Sequence, residues 1–342
     1  MCSVIELQKP AWPATGGVSA ETPFTFREGL MPKSFLSFDD QIHFLTSKKN
    51  LTVNNPTDAK DLLSRIGYFS LIGGYKDPFK NPTTKTFKDG TSLEDIAALY
   101  RFDEQLRELY LKYILQVERH IRFLLSYYFA EKYGEDQSHY LSVASYRTEP
   151  RFACDVTKLI SGKLHPLACQ PSNYPYIDHH RTTHGNVPLW VLVNALSFGT
   201  LSKFYVLLTP DLKSKISKHF EKVNEKQLEQ HLTVMTKFRN VCAHNERLFS
   251  YSTVNDIPDT NAHRLLSIPQ RGTQYVYGKR DLFALTISLR YLLSDRELWK
   301  FQAELSLVLS TYLGAPHAIP QNELLRYMGF PTHWTSLFSC TK

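Results

Sequence analysis

Residues 91–134 read TSLEDIAALYRFDEQLRELYLKYILQVERHIRFLLSYYFAEKYG, and this stretch decides the fold. Ile96, Leu99, Leu106, Tyr110, Tyr113, Ile114, Val117, Ile121, Leu124, Leu125 and Tyr128 recur at helical spacing. No Gly or Pro falls between Ser92 and Tyr133, so the spacing predicts one very long helix, or two with a bend. Thr91-Ser92-Leu93-Glu94 has the form of a capping box, in which a hydroxyl and a carboxylate satisfy the first free backbone donors. Gly134 stops the run. An apolar stripe of that length must pack against several other helices.

Working outward, a helix is expected from Ser37, with Phe38, Ile42 and Leu45 in phase and Asp39 and Asp40 in the first turn. Another spans about Pro56 to Ile66. Gly67, Gly73, Gly74, Pro78 and Pro82 then read as loop. Residues 136–185 read as irregular, apart from a helix around 152–162. Pro188 opens a helix that Ser197–Thr200 bends or breaks before it resumes to about Leu208. A short basic helix follows at 211–220. The stretch from about Glu225 to Leu248 puts Leu228, Leu232, Met235, Phe238 and Cys242 on one stripe. Residues 250–278 read as loop with some strand at Gln274–Tyr277. Helices close the chain at 280–293, at 296–313 and from Gln321. No alternation calls for a sheet, and the reading is all-α. The expected organisation is a tail at 1–32, a helical and loop segment at 33–90, a helical core at 91–250, and a loop with terminal helices at 251–342.

The 342 residues are ample for a core without staples. Five widely spaced Cys with no Cys-x-x-Cys pair give neither a zinc ribbon nor a disulfide framework, and fit reduced thiols. The N-terminus lacks a basic stretch followed by an apolar run, and the longest uncharged segment, Gly185–Ser202, is too polar for a membrane span. A cytoplasmic protein with no membrane partner is expected. Lys+Arg is 40 against 33 Asp+Glu, a net +7 that leans towards anionic partners. The segment Lys203–Arg247 holds nine basic and five acidic residues, so 9 − 5 = +4 of that excess lies there. Lys203, Lys213, Lys215, Lys218, Lys222, Lys237 and Arg247, with Arg122 from the long helix, are candidate RNA phosphate contacts, and Lys213, Lys215, Lys218 and Lys222 are the best of them. A solvated helix face is the plain alternative.

The last helix of that segment ends in Phe238-Arg239-Asn240-Val241-Cys242-Ala243-His244. At about 100° per residue, Asn240 and His244 lie roughly 40° apart, opposite the apolar stripe, and Arg239 flanks them. Cleavage of RNA needs such groups. An imidazole takes the 2′-hydroxyl proton or protonates the leaving oxygen near neutral pH. A guanidinium stabilises the extra charge of the phosphorane, and an amide can bind a non-bridging oxygen or orient the imidazole. The chemistry requires no metal or cofactor. An Arg-x4-His spacing by itself is common by chance, and a polar patch near a helix C-terminus is the plain alternative.

Several blocks, taken together, are more specific. They include Lys33-Ser-Phe-Leu-Ser-Phe-Asp-Asp-Gln-Ile42, Arg65-Ile-Gly-Tyr-Phe-Ser-Leu-Ile-Gly-Gly-Tyr75, Gly90-Thr-Ser-Leu-Glu-Asp-Ile96 and Tyr100-Arg-Phe-Asp103. Val117-Glu-Arg-His-Ile-Arg122, Pro188-Leu-Trp-Val-Leu-Val193, Leu196-Ser-Phe-Gly-Thr-Leu-Ser202, Arg239-Asn-Val-Cys-Ala-His244 and Met328-Gly-Phe-Pro-Thr-His-Trp334 continue in order. Through them the chain resembles the Abi family of bacterial abortive-infection proteins, the AbiD/AbiF-like group, which is related to the HEPN superfamily. The resemblance implies a HEPN-like helical bundle with additional N- and C-terminal helices. It also implies a homodimer, and a metal-independent endoribonuclease whose composite site joins two Arg-x4-6-His motifs. Arg239 and His244 match the motif pair, and Asn240 matches the polar residue after the Arg. Relatives in the AbiF-like branch are associated with a small non-coding RNA that restrains the protein, and the superfamily also contains non-catalytic RNA binders.

Lesser features have two readings each. Glu118 and Arg122 form either a helix-stabilising pair or a carboxylate that orients Arg239 or His244, with His120 on the same turn. Asp178, His179, His180 and His184 hint at a metal site, but Pro175, Gly185 and Pro188 argue for loop there and no metal is expected. Cys242, on the apolar stripe, reads as core.

Overall fold

Leu93–Tyr133 is a single helix of 41 residues, about 60 Å long at 1.5 Å per residue, in the computed structural model, which describes residues 35–339. The expected tail at 1–32 lies outside the described residues. Phe38–Lys342 forms one compact unit. Its helices are α1 Phe38–Lys49, α2 Pro56–Ile66, α3 Leu93–Tyr133, α4 Gln137–Leu141, α5 Pro150–Leu159, α6 His165–Cys169, α7 Pro175–His184 and α8 Leu189–Leu192. There follow α9 Phe198–Leu207, α10 Pro210–Ser217, α11 Glu225–Ala243, α12 Asn261–Leu265, α13 Leu282–Leu292, α14 Asp295–Leu313, α15 Gln321–Met328 and α16 Ser336–Ser339. The β structure in named strands is one two-stranded antiparallel hairpin, Gln270–Arg271 with Gln274–Tyr275. The all-α reading holds.

The capping box of α3 sits one residue later than the sequence suggests. Ser92 is the N-cap, and its hydroxyl accepts from Asp95 N while the Asp95 carboxylate accepts from Ser92 N at 2.7 Å. Thr91 stays outside the helix, and its carbonyl receives Thr52 N beside a short extended bridge. Glu94 receives the Asn54 amide instead.

α3 packs against α8, α9, α10, α11, α13 and α14, so its long stripe is covered as the sequence requires. Buried side chains from Ile42 to Leu337 form one continuous cluster, so the segments expected at 33–90, 91–250 and 251–342 share a core.

The segment 136–185, read as irregular, is mostly helical. α5 passes through a wider turn at Ile160–Leu164 into α6, and α7 occupies the His-rich stretch. Pro150 and Pro175 stand at the first position of α5 and α7, where the missing N–H is harmless, and signal helix starts rather than loop.

α11 and α13 are tied by His231 and Ser288. The Ser288 hydroxyl donates to Ala284 O at 2.9 Å, so its oxygen accepts from His231 Nδ1 at 2.9 Å. His231 is 1% exposed. Burial, helped by the nearby His263 and Lys279, holds its pKa down to about 3. The unfolded chain takes up this proton near pH 6.5 and the folded one does not. The histidine's contribution is therefore intact above about pH 6.5 and is lost as pH falls towards 3. Replacing His231 with Phe should remove up to one proton from the stability–pH slope between about pH 6.5 and 4, or about 1.4 kcal/mol per pH unit. Urea denaturation at several pH values measures this, and an unchanged slope would contradict the assignment.

Candidate functional site

α11 begins at Asn224, which exchanges capping bonds with Gln227. It buries Leu228, Leu232, Met235, Phe238 and Cys242, the stripe expected from the sequence. The helix ends at Ala243 rather than near Leu248. Asn245 takes the left-handed conformation (φ 56°), Glu246 N bonds to Val241 O at 3.0 Å, and Asn245 N bonds to Cys242 O. This is a Schellman closure with Asn in place of the usual Gly. His244 is thus the C-cap residue, one turn beyond Asn240, and its N–H bonds to Asn240 O at 2.9 Å. Both side chains are exposed. Lys237, Asn240 and His244 share one face of the helix by their spacing, whereas Arg239 lies about 140° around the axis from His244.

Arg239 turns towards α3. Its Nε lies 3.7 Å from Glu118 Oε2, and the side chain retains 30% exposure. Glu118 is buried and also pairs with Arg122 Nη2 at 2.7 Å through Oε1. Arg122 further donates to Leu196 O at 3.4 Å. One carboxylate therefore sits between two guanidinium groups, so both readings of Glu118 meet in one cluster. The cluster is not closed. Glu118 Oε2, Arg122 Nε and Arg239 Nε are buried without hydrogen-bond partners. His244 makes no side-chain bond to this cluster among the described residues. His120 packs against Phe220 and His219 and takes no part.

The turn after His244 is clamped by a residue the sequence reading passed over. Asp103 of α3 has no exposed surface. Its Oδ2 accepts from Tyr75 Oη (2.6 Å), Arg107 Nη1 (2.8 Å) and Leu248 N (2.8 Å), and its Oδ1 accepts from Phe249 N (2.6 Å). Burial pushes the carboxyl up from the usual range, against the pull of Arg107 and the other donors. Arg247 donates to Gly74 O at 2.6 Å and pairs with Asp77, fastening the same turn to the loop before α3. That engagement explains Arg247 better than a phosphate contact does.

The candidate phosphate contacts separate clearly. Lys213 is buried and paired with Glu229, so it has no free face for an anion. Lys215 pairs with Glu131 at 2.7 Å. Lys218 is exposed, and Lys222 lies 3.8 Å from Glu221. Lys203 and Lys237 line a groove of about 570 Å³ between α5, α9 and α11. Lys158 and Lys163 line it too, with the hydroxyls of Ser197, Thr200, Thr233 and Thr236 and one carboxylate, Asp155. None of these four lysines is in an ion pair among the described residues. The sequence reading missed Lys158 and Lys163 because it saw the helix around 152–162 only as an isolated element. Thr233 and Lys237 carry the groove along α11 towards Asn240 and His244.

His179, His180 and His184 meet edge-on or tilted along α7, with ring centroids 5.2–5.9 Å apart, and Asp178 is held by Arg181 and Ser172. No group of three side chains among the described residues has metal-binding geometry. Burial pushes the Cys242 thiol up to about 12, so it is inert core. No helix among the described residues is long and apolar enough to cross a membrane.

The family model described as Abi-like protein matches residues 61–250, more than half of the chain. The chain belongs to the Abi-like family. Comparison with curated proteins finds no match, and comparison with solved structures finds none. The span that makes this an Abi-like protein contains Tyr75, Asp103, Glu118, the four groove lysines, Arg239 and His244, and it ends one residue after the Asp103 clamp.

Asp103→Ala in this Abi-like protein would leave Arg107, Tyr75 and two backbone donors buried without their acceptor. A loss of about 3–5 kcal/mol of stability is expected, measured by chemical denaturation. A change under about 1 kcal/mol would show that the clamp is not structural.

Proposed function

We propose that this Abi-like protein is a metal-independent endoribonuclease of abortive-infection defence that acts as a toxin in the cytoplasm. The observation that carries the reading is Arg239. Its guanidinium stands 3.7 Å from a buried carboxylate, yet its side chain keeps 30% of its surface exposed. Such an arginine is held in place and still able to bind an anion. His244 stands exposed at the end of the same helix.

In the reaction, His244 takes the proton of a ribose 2′-hydroxyl and the oxygen attacks the adjacent phosphorus. Arg239 stabilises the added charge of the phosphorane, and Asn240 bonds a non-bridging oxygen. The bond to the 5′-oxygen breaks, and that oxygen leaves with the proton that the His244 imidazolium returns. The products are a 2′,3′-cyclic phosphate and a 5′-hydroxyl. Because Arg239 and His244 diverge around the helix, one phosphate meets both groups when a second copy supplies one of them. The active form is therefore a homodimer with a composite site. Lys158, Lys163, Lys203 and Lys237 hold the RNA backbone leading to it. A small non-coding RNA lying in the same groove would restrain the enzyme until infection.

The same divergence favours a second reading, in which the chain is a non-catalytic protein that sequesters RNA. The two separate on RNA-free protein mixed with single-stranded RNA and EDTA. The nuclease reading expects cutting that falls at least about 100-fold in Arg239→Ala and in His244→Ala, with the unfolding midpoint of His244→Ala unchanged. Binding without cutting by the wild type would sink it. Lys203→Glu combined with Lys237→Glu should flatten the salt dependence of binding, by about 0.7 in log–log slope for each lost phosphate contact.

A further inference from the structure

A second cavity, of about 350 Å³, lies between the start of α11, α12, the hairpin and α13. Its volume falls within the usual range of small-ligand sites, about 300–1,000 Å³. The histidine that ties α11 to α13 also lines it. His231 is 1% exposed, and its Nδ1 donates to Ser288. The direction of that bond is forced, because the single hydroxyl hydrogen of Ser288 goes to Ala284 O. The neutral ring therefore keeps the lone pair on Nε2, an acceptor for which the described residues provide no donor. Tyr291 stacks on the His231 ring, with centroids 5.9 Å apart at 27°, and also lines the cavity. Tyr275, which rests one face on His263, stands across from them.

The charge at the rim is positive. Lys222 has only a long, exposed contact with Glu221, at 3.8 Å. Arg264 bonds only the neutral amide oxygen of Asn261, at 3.3 Å. The carboxylate of the lining, Asp259, is already paired with Lys279 at 2.5 Å. Two available cations thus stand over a pocket with aromatic walls and a buried acceptor.

We infer that this cavity binds a nucleotide: a planar ring that donates an N–H to His231 Nε2, joined to a phosphate held by Lys222 and Arg264. The ring fills the space beside Tyr291 and Tyr275, where aromatic surfaces accept any base face. The cations take the phosphate at the rim, and Arg264 can do so bidentately. The inference stands apart from the cleavage reading, since no residue of the Glu118–Arg239 cluster lines this cavity.

Calorimetric titration of the full chain tests it, with the four nucleoside 5′-monophosphates, ribose 5-phosphate and inorganic phosphate as probes. At least one monophosphate should bind at least 10-fold tighter than ribose 5-phosphate or phosphate. Arg264→Glu, at an exposed position that should not disturb folding, should weaken it at least 10-fold. His231→Phe should do the same if it folds. A short single-stranded RNA in competition separates the sources. Displacement by RNA at lower nucleotide concentration assigns the pocket to a nucleotide of a bound RNA, and weaker displacement assigns it to a free mononucleotide; both support the site. No binding at 1 mM, binding of phosphate as tight as of any nucleotide, or an unaffected Arg264→Glu would overturn it. Binding is read without turnover, so failure of the nuclease reading leaves this result interpretable.

Discussion

A carboxylate without exposed surface, Asp103, stands where three stretches of the chain meet. It receives the Tyr75 hydroxyl from the segment before α3, Arg107 from one turn further along α3, and the backbone of Leu248 and Phe249 just past α11. Burying such a charge costs several kcal/mol unless its lone pairs are filled. Four donors fill them here. The arrangement can form only when all three stretches are in place, so it specifies their relative position more than it adds net stability. The backbone after the C-cap of α11 is held there, and with it the direction in which His244 is presented.

α3 carries a second buried carboxylate, Glu118, 15 residues further on and about 22 Å along the axis. Its neighbour on α11 is Arg239, which precedes Leu248 in the chain. The order of contacts is reversed along the two helices, so α11 runs antiparallel to α3. One helix thus fixes both ends of the candidate site, the arginine through Glu118 and the exit turn through Asp103. The apolar stripe that buries α3 supplies most of the binding energy between these helices, and the two carboxylates set the register. The histidine remains at the rim, the one member of the motif pair that α3 does not touch among the described residues.

The long helix was legible because periodicity and the absence of Gly and Pro are local signals. So were α1, α2, α13 and α14, and the buried stripe of α11, including Cys242. The stretch 136–185 was not. It is rich in Tyr, His and Pro and reads as irregular, although Pro150 and Pro175 each stand at the first position of a helix. The end of α11 was placed too late because its stop is an asparagine in the left-handed conformation rather than a glycine. Charge counting finds the basic segment 203–247 and favours Lys213, Lys215, Lys218 and Lys222, but the first two of these are engaged. Lys213 and Lys215 meet Glu229 and Glu131 from other helices, while Lys158 and Lys163 approach from a helix outside the segment.

What the amino-acid order determined alone was the long helix, the more regular helices on either side of 136–185 and the membership of the motif turn, since these follow from spacing within a few turns of backbone. The tertiary structure decided which charges are neutralised and which stand free. It paired Glu118 with two arginines, withdrew Lys213 and Arg247, gathered four lysines into one groove, and set His231 in the lining of a second cavity. The reason is physical: a charge's availability depends on neighbours brought within a few ångströms by packing, and those neighbours lie tens to hundreds of residues away in the chain.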